Sequence, residues 1–140
     1  MATVNLTGKW KEDRSENKEA FLKKMGTPEE KVATFAAFKP ACEMIHEGEN
    51  ITLKMLTPDG KTMSETKFTI GTPYTPVLPD GVPSLGELIS TFVDGGKVML
   101  TKTTSEKVDF NDYTYLEPNG DLKVVQKSGD VTSTSFWTKM

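Results

Sequence analysis

The feature that most constrains this chain is a regular series of turn signals that begins after Pro40. Pro-Asp-Gly at 58–60 and 79–81 and Asn-Gly at 119–120 are typical of tight turns, because proline fixes φ and glycine accepts positive φ. The turns separate short segments with strand character, which are 41–47, 50–57, 63–70, 73–78, 87–94, 97–104, 108–116, 121–127 and 131–138. An opening strand near 5–14 brings the prediction to ten strands, in a spacing typical of a sandwich or barrel.

Two short helices are predicted between the first and second strands. Asn17 is a candidate N-cap for a helix over 18–25. Thr27 and Pro28 begin a second helix, which has to end before Pro40 because proline disfavours helical backbone in the preceding residue. The apolar residues on these helices are Phe21, Leu22, Met25, Val32, Ala33, Phe35 and Ala36.

Alternation along the strands predicts which side chains face the interior. In the strand before the last, the two lysines belong in water, so Val124 and Gln126 face inward. Strand one does not follow this rule, because Glu12 and Arg14 share a face with Trp10. We therefore predict a bend or β-bulge in strand one.

Length and composition narrow the possible functions. The chain has 140 residues, which suits one domain over 1–140, and its net charge of −3 argues against binding nucleic acid. No stretch approaches the ~20 consecutive apolar residues of a membrane span. The N-terminus lacks the basic and apolar regions of a secretory signal. Cys42 is the only cysteine, so no internal disulfide can form, and the expected location is the cytoplasm.

No group of residues predicts catalysis, a metal site or a cofactor. The chain has one histidine, His46, which we expect to be exposed near a turn, and its carboxylates do not cluster at metal-ligand spacing. A Ser-His-Asp triad would need a nucleophile motif, and none accompanies His46. The sequence therefore predicts that the protein is not an enzyme.

Several short motifs, spread over nearly the whole chain, occur in an order typical of one family. They are a Gly-x-Trp opening in Leu6-Thr7-Gly8-Lys9-Trp10, then Lys39-Pro40, Gly95-Gly96, and a last strand ending Ser133-Thr134-Ser135-Phe136-Trp137-Thr138-Lys139. With the helix pair directly after strand one, the chain resembles the intracellular lipid-binding proteins, which include fatty-acid-binding and cellular retinoid-binding proteins. The resemblance implies an all-β fold: a ten-stranded antiparallel up-and-down β-barrel, or clam, with a helix-turn-helix lid between strands one and two.

The resemblance also implies a function, the transport of one small hydrophobic molecule inside the barrel. The ligand would be a fatty acid, a retinoid or a similar lipid, and the carrier a cytoplasmic monomer that contacts membranes transiently. A portal is implied near residues 27–38, the turn at 57–60 and the turn around 78–80. The predicted apolar contacts are Met55, Phe68, Ile89, Val124 and Trp137 in the walls, with Phe21, Met25 and Phe35 in the lid.

The chain departs from this family at the head-group site. Members that bind fatty acids usually hold the carboxylate with two interior arginines and a tyrosine. The pattern places Ser135 and Trp137 at one arginine and the tyrosine, and Tyr115 at the second arginine. A buried carboxylate without a cation is costly, so we predict that neutral groups take over the head-group site. These groups are Tyr115, Gln126, Ser135 and Cys42.

Lys102 is the possible exception, because it shares strand parity with Val98 and Leu100 and is predicted to point inward. There it could pair with a carboxylate, form an imine with an aldehyde or reach the barrel rim. A second hypothesis also remains: a barrel whose interior is filled by side chains or water and which acts as a protein-interaction module.

Overall fold

The computed structural model describes residues 4–57, 59–77, 86–106 and 108–140. Strand β1 (Gly8–Glu16) leads into two helices, α1 (Lys18–Lys24) and α2 (Glu29–Ala37). The strands that follow are β2 (Ala41–Glu47), β3 (Asn50–Leu56), β4 (Thr62–Thr69), β5 (Leu88–Val93), β6 (Val98–Thr103), β7 (Asn111–Leu116), β8 (Leu122–Ser128) and β9 (Val131–Lys139). The predicted helix pair and its position directly after strand one are confirmed.

All paired strands are antiparallel, in the order β4-β3-β2-β1-β9-β8-β7-β6-β5. Pairing between β1 and β9 joins the two ends of the chain and curls the sheet into a nearly closed barrel. The segment 70–77 spans the opening between β4 and β5, where Gly71 donates to the carbonyl of Ser90 and Val77 donates to Thr66 Oγ1. The predicted antiparallel barrel is confirmed.

The described residues form nine strands, and the prediction of ten was wrong at 73–78. Only Tyr74 forms a bridge there, exchanging backbone hydrogen bonds of 2.8 and 2.7 Å with Leu88. Pro73 and Pro76 have no N–H group, so this segment cannot continue a ladder of backbone hydrogen bonds. Residue 78 lies outside the described residues.

The predicted irregularity in β1 is confirmed as a β-bulge. Glu12 pairs with Trp137 and Arg14 with Phe136, which are consecutive residues of β9, so Asp13 is the extra residue. Glu12 therefore points into the barrel, whereas the Arg14 guanidinium lies outside, 4.1 Å from the centre of the Phe136 ring. The single arginine of this chain is thus kept out of the interior.

The core of the barrel surrounds Trp10, whose indole N–H donates to the carbonyl of Leu6 at 3.2 Å. A Cβ atom on Gly8 would lie 3.2 Å from the Trp10 ring, so this position leaves little room for a side chain. His46 belongs to the same region, and its predicted exposure was wrong. Its ring stacks on Phe92 with centres 5.4 Å apart, and its Nδ1 accepts the backbone N–H of Leu6.

The two helices close over the barrel, and their N-terminal caps differ in part from the prediction. Asn17 does occupy the N-cap of α1, but its side chain donates to the carbonyl of Thr132 at 2.9 Å and does not cap the helix. The N-cap of α2 is Pro28, not Thr27. The Thr27 hydroxyl is buried and has no hydrogen-bond partner among the described residues.

Candidate functional site

A cavity of about 370 Å³ lies inside the barrel, within the range of roughly 300–1,000 Å³ that is typical of small-molecule sites. Most of its walls are apolar. The apolar lining residues are Pro40, Cys42, Met44, Leu53, Met55, Phe68, Pro76, Val77, Leu88, Met99, Phe110, Leu122, Val124 and Trp137. Side chains therefore do not fill the barrel.

Val77 lines the cavity and is nevertheless 51% exposed, so the cavity wall reaches the surface of the barrel at this residue. Val77 belongs to the segment that spans the opening between β4 and β5. Of the predicted portal, residues 27–38 form α2 and its flanks. Residue 58 of the turn 57–60 and the whole turn 78–80 lie outside the described residues.

Seven of the predicted ligand contacts line the cavity. They are Cys42, Met55, Phe68, Val124, Gln126, Ser135 and Trp137. They come from strands β2, β3, β4, β8 and β9, so strand alternation brings residues that are distant in the sequence onto one inner face. At the β9 wall, the Trp137 indole N–H donates to Ser135 Oγ at 2.9 Å.

Cys42 contributes a thiol that stays protonated. Burial raises the pKa of Cys42 to about 12, because the low-dielectric surroundings disfavour a thiolate. The thiolate is the nucleophilic form of cysteine, so this side chain acts as a small apolar wall residue at neutral pH.

The inward orientation predicted for Tyr115 and Lys102 was wrong. Tyr115 pairs with Lys123, and the Lys123 ammonium lies 5.8 Å from the centre of its ring on the outer face of the barrel. Lys102 is exposed, because β6 turns Met99 and Thr101 inward. Ile89, its partner on β5, is on the outer face for the same reason.

The predicted lid contacts do not line the cavity in this structure. Phe21 is buried against Phe110, with ring centres 6.2 Å apart, and Met25 packs against the same apolar cluster. Leu88 and Phe110 belong to this cluster and also line the cavity, so α1 supports the cavity wall from behind. Phe35 on α2 is half-buried and outside the lining.

A carboxylate forms the main polar centre of the cavity. Asp112 on β7 accepts two hydrogen bonds, from Gln126 Nε2 at 3.0 Å and from Thr114 Oγ1 at 2.7 Å. Burial raises the pKa of Asp112 above its usual value, and these two hydrogen bonds oppose the rise. Asp112 is half-buried and lines the cavity.

A second carboxylate, Glu12, is paired with a cation. The Lys18 ammonium donates to both Glu12 carboxylate oxygens, at 2.8 and 3.0 Å, and to the carbonyl of Phe38 at 2.9 Å. Lys18 begins α1 and Phe38 ends α2, so one ammonium joins both helices to β1. Both Glu12 and Lys18 line the cavity.

A third polar cluster consists of hydroxyl groups and lies beside the opening between β4 and β5. The Tyr74 hydroxyl is hydrogen-bonded to Ser90 Oγ at 3.0 Å, and Ser90 Oγ to Thr101 Oγ1 at 2.6 Å. Burial raises the pKa of Tyr74, and the negative charge of Asp112 adds a smaller contribution in the same direction. Tyr74 therefore stays neutral at physiological pH.

Sequence reasoning did not identify Asp112, Thr114, Glu12 or Lys18 as cavity residues. Asp112 and Thr114 on β7 could have been found from the register of the hairpin that joins β7 to β8. Asp112 lies opposite Gln126, and Thr114 lies opposite Val124. Residues directly opposite in an antiparallel pair share a face, so the inward prediction for β8 also implies an inward Asp112.

The described residues contain no group of three or more side chains suited to holding a metal ion. In the same part of the chain, neither helix has the length and apolar character needed to cross a membrane.

Comparison with known proteins gives a consistent result. The model of the lipocalin / cytosolic fatty-acid binding protein family matches residues 4–109. Cellular retinoic acid-binding protein 2 of Mus musculus is 30% identical over 141 residues, covering 96% of this chain and 98% of the relative. Fatty acid-binding protein 1 of Manduca sexta is 34% identical over 74 residues, which is 53% of this chain and 54% of that protein. The crystal structure of Echinococcus granulosus fatty-acid-binding protein 1 shares the fold, with a TM-score of 0.80 at 21% identity over 96% of this chain and 97% of that one.

Proposed function

Because the chain belongs to the lipocalin / cytosolic fatty-acid binding protein family, we propose that it binds one small hydrophobic molecule inside its barrel and carries it through the cytoplasm. The observation that carries this proposal is the cavity of about 370 Å³ with its mostly apolar walls. Removing apolar ligand surface from water contributes roughly 25 cal/mol per Å², which is sufficient to drive binding without any ionic contact.

The proposed ligand class is taken from the relatives, whose names specify fatty acids and retinoic acid. We propose a fatty acid, a retinoid or a similar lipid, bound without the usual pair of arginines. Support comes from Arg14, the only arginine, which stacks on Phe136 outside the barrel. Ser135 and Trp137 stand at the predicted clamp positions and bond to each other.

The remaining features of the proposed carrier are expectations for experiment. We propose that it is a monomer without catalytic activity and that the ligand enters near Val77, beside the opening between β4 and β5. The lysines at 9–11 and 23–24 would provide a transient contact with anionic membranes. The alternative of a barrel filled by side chains is disfavoured by the volume of the cavity.

The test uses two neighbouring valines on β8. Val124 lines the cavity, whereas Val125 does not and pairs with Thr134 on the next strand. A tryptophan at 124 would occupy cavity volume, while the same residue at 125 would not. We expect Val124→Trp to weaken binding of an environment-sensitive apolar dye by about tenfold or more and Val125→Trp to leave it within about twofold.

Binding is measured by fluorescence titration of delipidated protein, with stoichiometry from the titration end point and circular dichroism as the check of folding. One dye per wild-type chain, lost only in Val124→Trp, supports the proposal. Equal binding by both folded variants would place the dye on the surface and contradict it. A wild-type protein that binds no apolar dye would favour the interaction-module hypothesis.

A further inference from the structure

The chemistry of the cavity is dominated by hydrogen-bond acceptors. The carboxylate of Asp112 is held at both oxygens, one by Thr114 Oγ1 and one by Gln126 Nε2. Each carboxylate oxygen can accept a further hydrogen bond, and Asp112 is one of the residues that line the cavity. Since the Gln126 amide nitrogen faces Asp112, its carbonyl oxygen remains as another acceptor beside it.

No cation balances Asp112 in the described part of the chain. The acidic and basic residues of the described lining are Glu12, Lys18 and Asp112, which are two acids and one base. Lys18 is committed to Glu12 and to the backbone at the end of α2. The described residues form no ion pair with Asp112.

Two cations that could have balanced the charge of Asp112 lie outside the cavity. Arg14 is directed outward by the bulge at Asp13, and Lys102 is exposed on β6. An anionic head group inside the barrel would therefore meet Asp112 without a counter-charge. Like charges repel strongly in a region of low dielectric constant, so an ionised Asp112 disfavours a carboxylate head group.

We propose that the natural ligand of this barrel is an apolar molecule whose head group donates hydrogen bonds, a hydroxyl or a protonated amine, and that this head group binds at Asp112 beside Gln126. The inference rests on the proposed function, because it assumes that the cavity holds a ligand, and it narrows the proposed ligands to lipids whose head group is not a carboxylate. An ammonium would supply the missing counter-charge, and a hydroxyl would supply one donor to an ionised carboxylate. The remaining titratable side chains of the described lining are Glu12, Lys18, Cys42 and Tyr74.

The experiment compares four ligands with one hydrocarbon chain and different head groups, by displacement of an apolar dye at neutral pH. Oleylamine is a cationic donor, oleyl alcohol a neutral donor, methyl oleate has no donor, and oleic acid is an anion. We expect the affinity for oleylamine to be higher than that for oleic acid by about tenfold or more, because hydrogen bonds between charged groups are stronger than those between neutral groups. Oleyl alcohol should bind more tightly than methyl oleate.

Asp112→Asn removes the charge and keeps the shape, and Asp130→Asn makes the same change at an exposed position outside the cavity lining. We expect Asp112→Asn to weaken oleylamine by about tenfold and to strengthen oleic acid, thereby closing the gap between them. Asp130→Asn should keep the wild-type order of affinities. It is the control for the change in net charge, which is the same in both variants.

The outcomes separate this inference from the proposed function. If the dye binds the wild type but oleic acid displaces it best, the donor head group is wrong and the barrel remains a lipid carrier. A preference for oleylamine that survives in Asp112→Asn also contradicts the inference, since the amine would then bind elsewhere. If the dye does not bind at all, both the proposed function and the inference fail. The ranking in the wild type does not depend on whether any variant folds.

Discussion

Asp112 stabilises the folded chain less when it is ionised than when it is protonated. Burial raises its pKa in the folded state, whereas in the unfolded chain it titrates near the ordinary value of about 3.9. Below that pH the Asp112 carboxyl group is protonated in both the folded and the unfolded chain, so no charge has to be buried on folding. As pH rises towards the folded pKa, the unfolded chain loses its proton first, so the contribution of this group to stability is lost.

Asp112→Asn should therefore gain stability relative to the wild type as pH rises from about 3 to about 7 in the absence of ligand. The amide keeps the size of the side chain and has no charge to desolvate. Urea unfolding at a series of pH values, followed by tryptophan fluorescence, measures the gap between the two proteins. Asp130→Asn is the exposed control and should show a nearly constant gap. If the wild type instead gained stability relative to Asp112→Asn as pH rises, the raised pKa of Asp112 would be contradicted.

The inner face of β7 could not be predicted from the sequence by hydrophobicity alone. Tyr113 and Tyr115 are more apolar than Asp112 and Thr114, so the pattern favours the tyrosines as the buried face. In the structure, Lys123 and Lys127 cover the two tyrosine rings on the outside of the barrel. Aromatic rings gain from such cations, and the outer face of this strand can therefore be the more apolar one.

One ammonium group joins both helices of the lid to β1. Lys18 joins the start of α1 to Glu12 on β1 and to the end of α2, and the Glu12 side chain is almost wholly buried. Without this lysine, Glu12 would remain as an unpaired carboxylate in the barrel. Breaking a buried ion pair in this way typically costs about 3–5 kcal/mol.

Lys18→Met should therefore lower the unfolding free energy by about 3 kcal/mol and speed the release of a bound dye, because the lid loses its attachment to β1. The double variant Glu12→Gln/Lys18→Met should be the more stable of the two, since no buried charge is left unpaired. Lys31→Met, at an exposed position of α2, is the matched control and should change stability by less than about 0.5 kcal/mol. Equal losses in the single and double variants would show that the ion pair is not responsible. Stopped-flow dye release and urea unfolding provide the two measurements.

Most elements could be predicted because each carries its own local signal. Turn chemistry separates β7 from β8 at Pro118-Asn119-Gly120, and the observed strands end within a few residues of the predicted bounds. The segment 73–78 was the exception, because its alternation suggested a strand while Pro73 and Pro76 removed the donors that a ladder needs. How that segment closes the barrel depends on Ser90 and Leu88, which no local pattern reveals.

The barrel as a whole should be least protected at one longitudinal opening. Every strand from β3 through β1 and β9 to β6 pairs with a strand on both sides. In the described part of the chain, β4 and β5 each pair with one strand and meet the segment 70–77 on the other side. Hydrogen exchange measured by mass spectrometry should therefore show slow amides in β1, β8 and β9 and faster exchange in β4, β5 and 70–77. A bound apolar ligand should slow exchange most at this opening. Uniform protection around the barrel would contradict this account.

The bulge in β1 has a consequence for how the chain can vary over evolutionary time. Glu12 and Arg14 already pair with consecutive residues of β9, so removing Asp13 would leave an unbroken ladder with the same two side chains inside and outside. Asp13 thus has the geometry of an insertion that the strand has absorbed as a surface kink. An insertion or deletion in strand one at this point would therefore leave the charged groups inside the cavity unchanged.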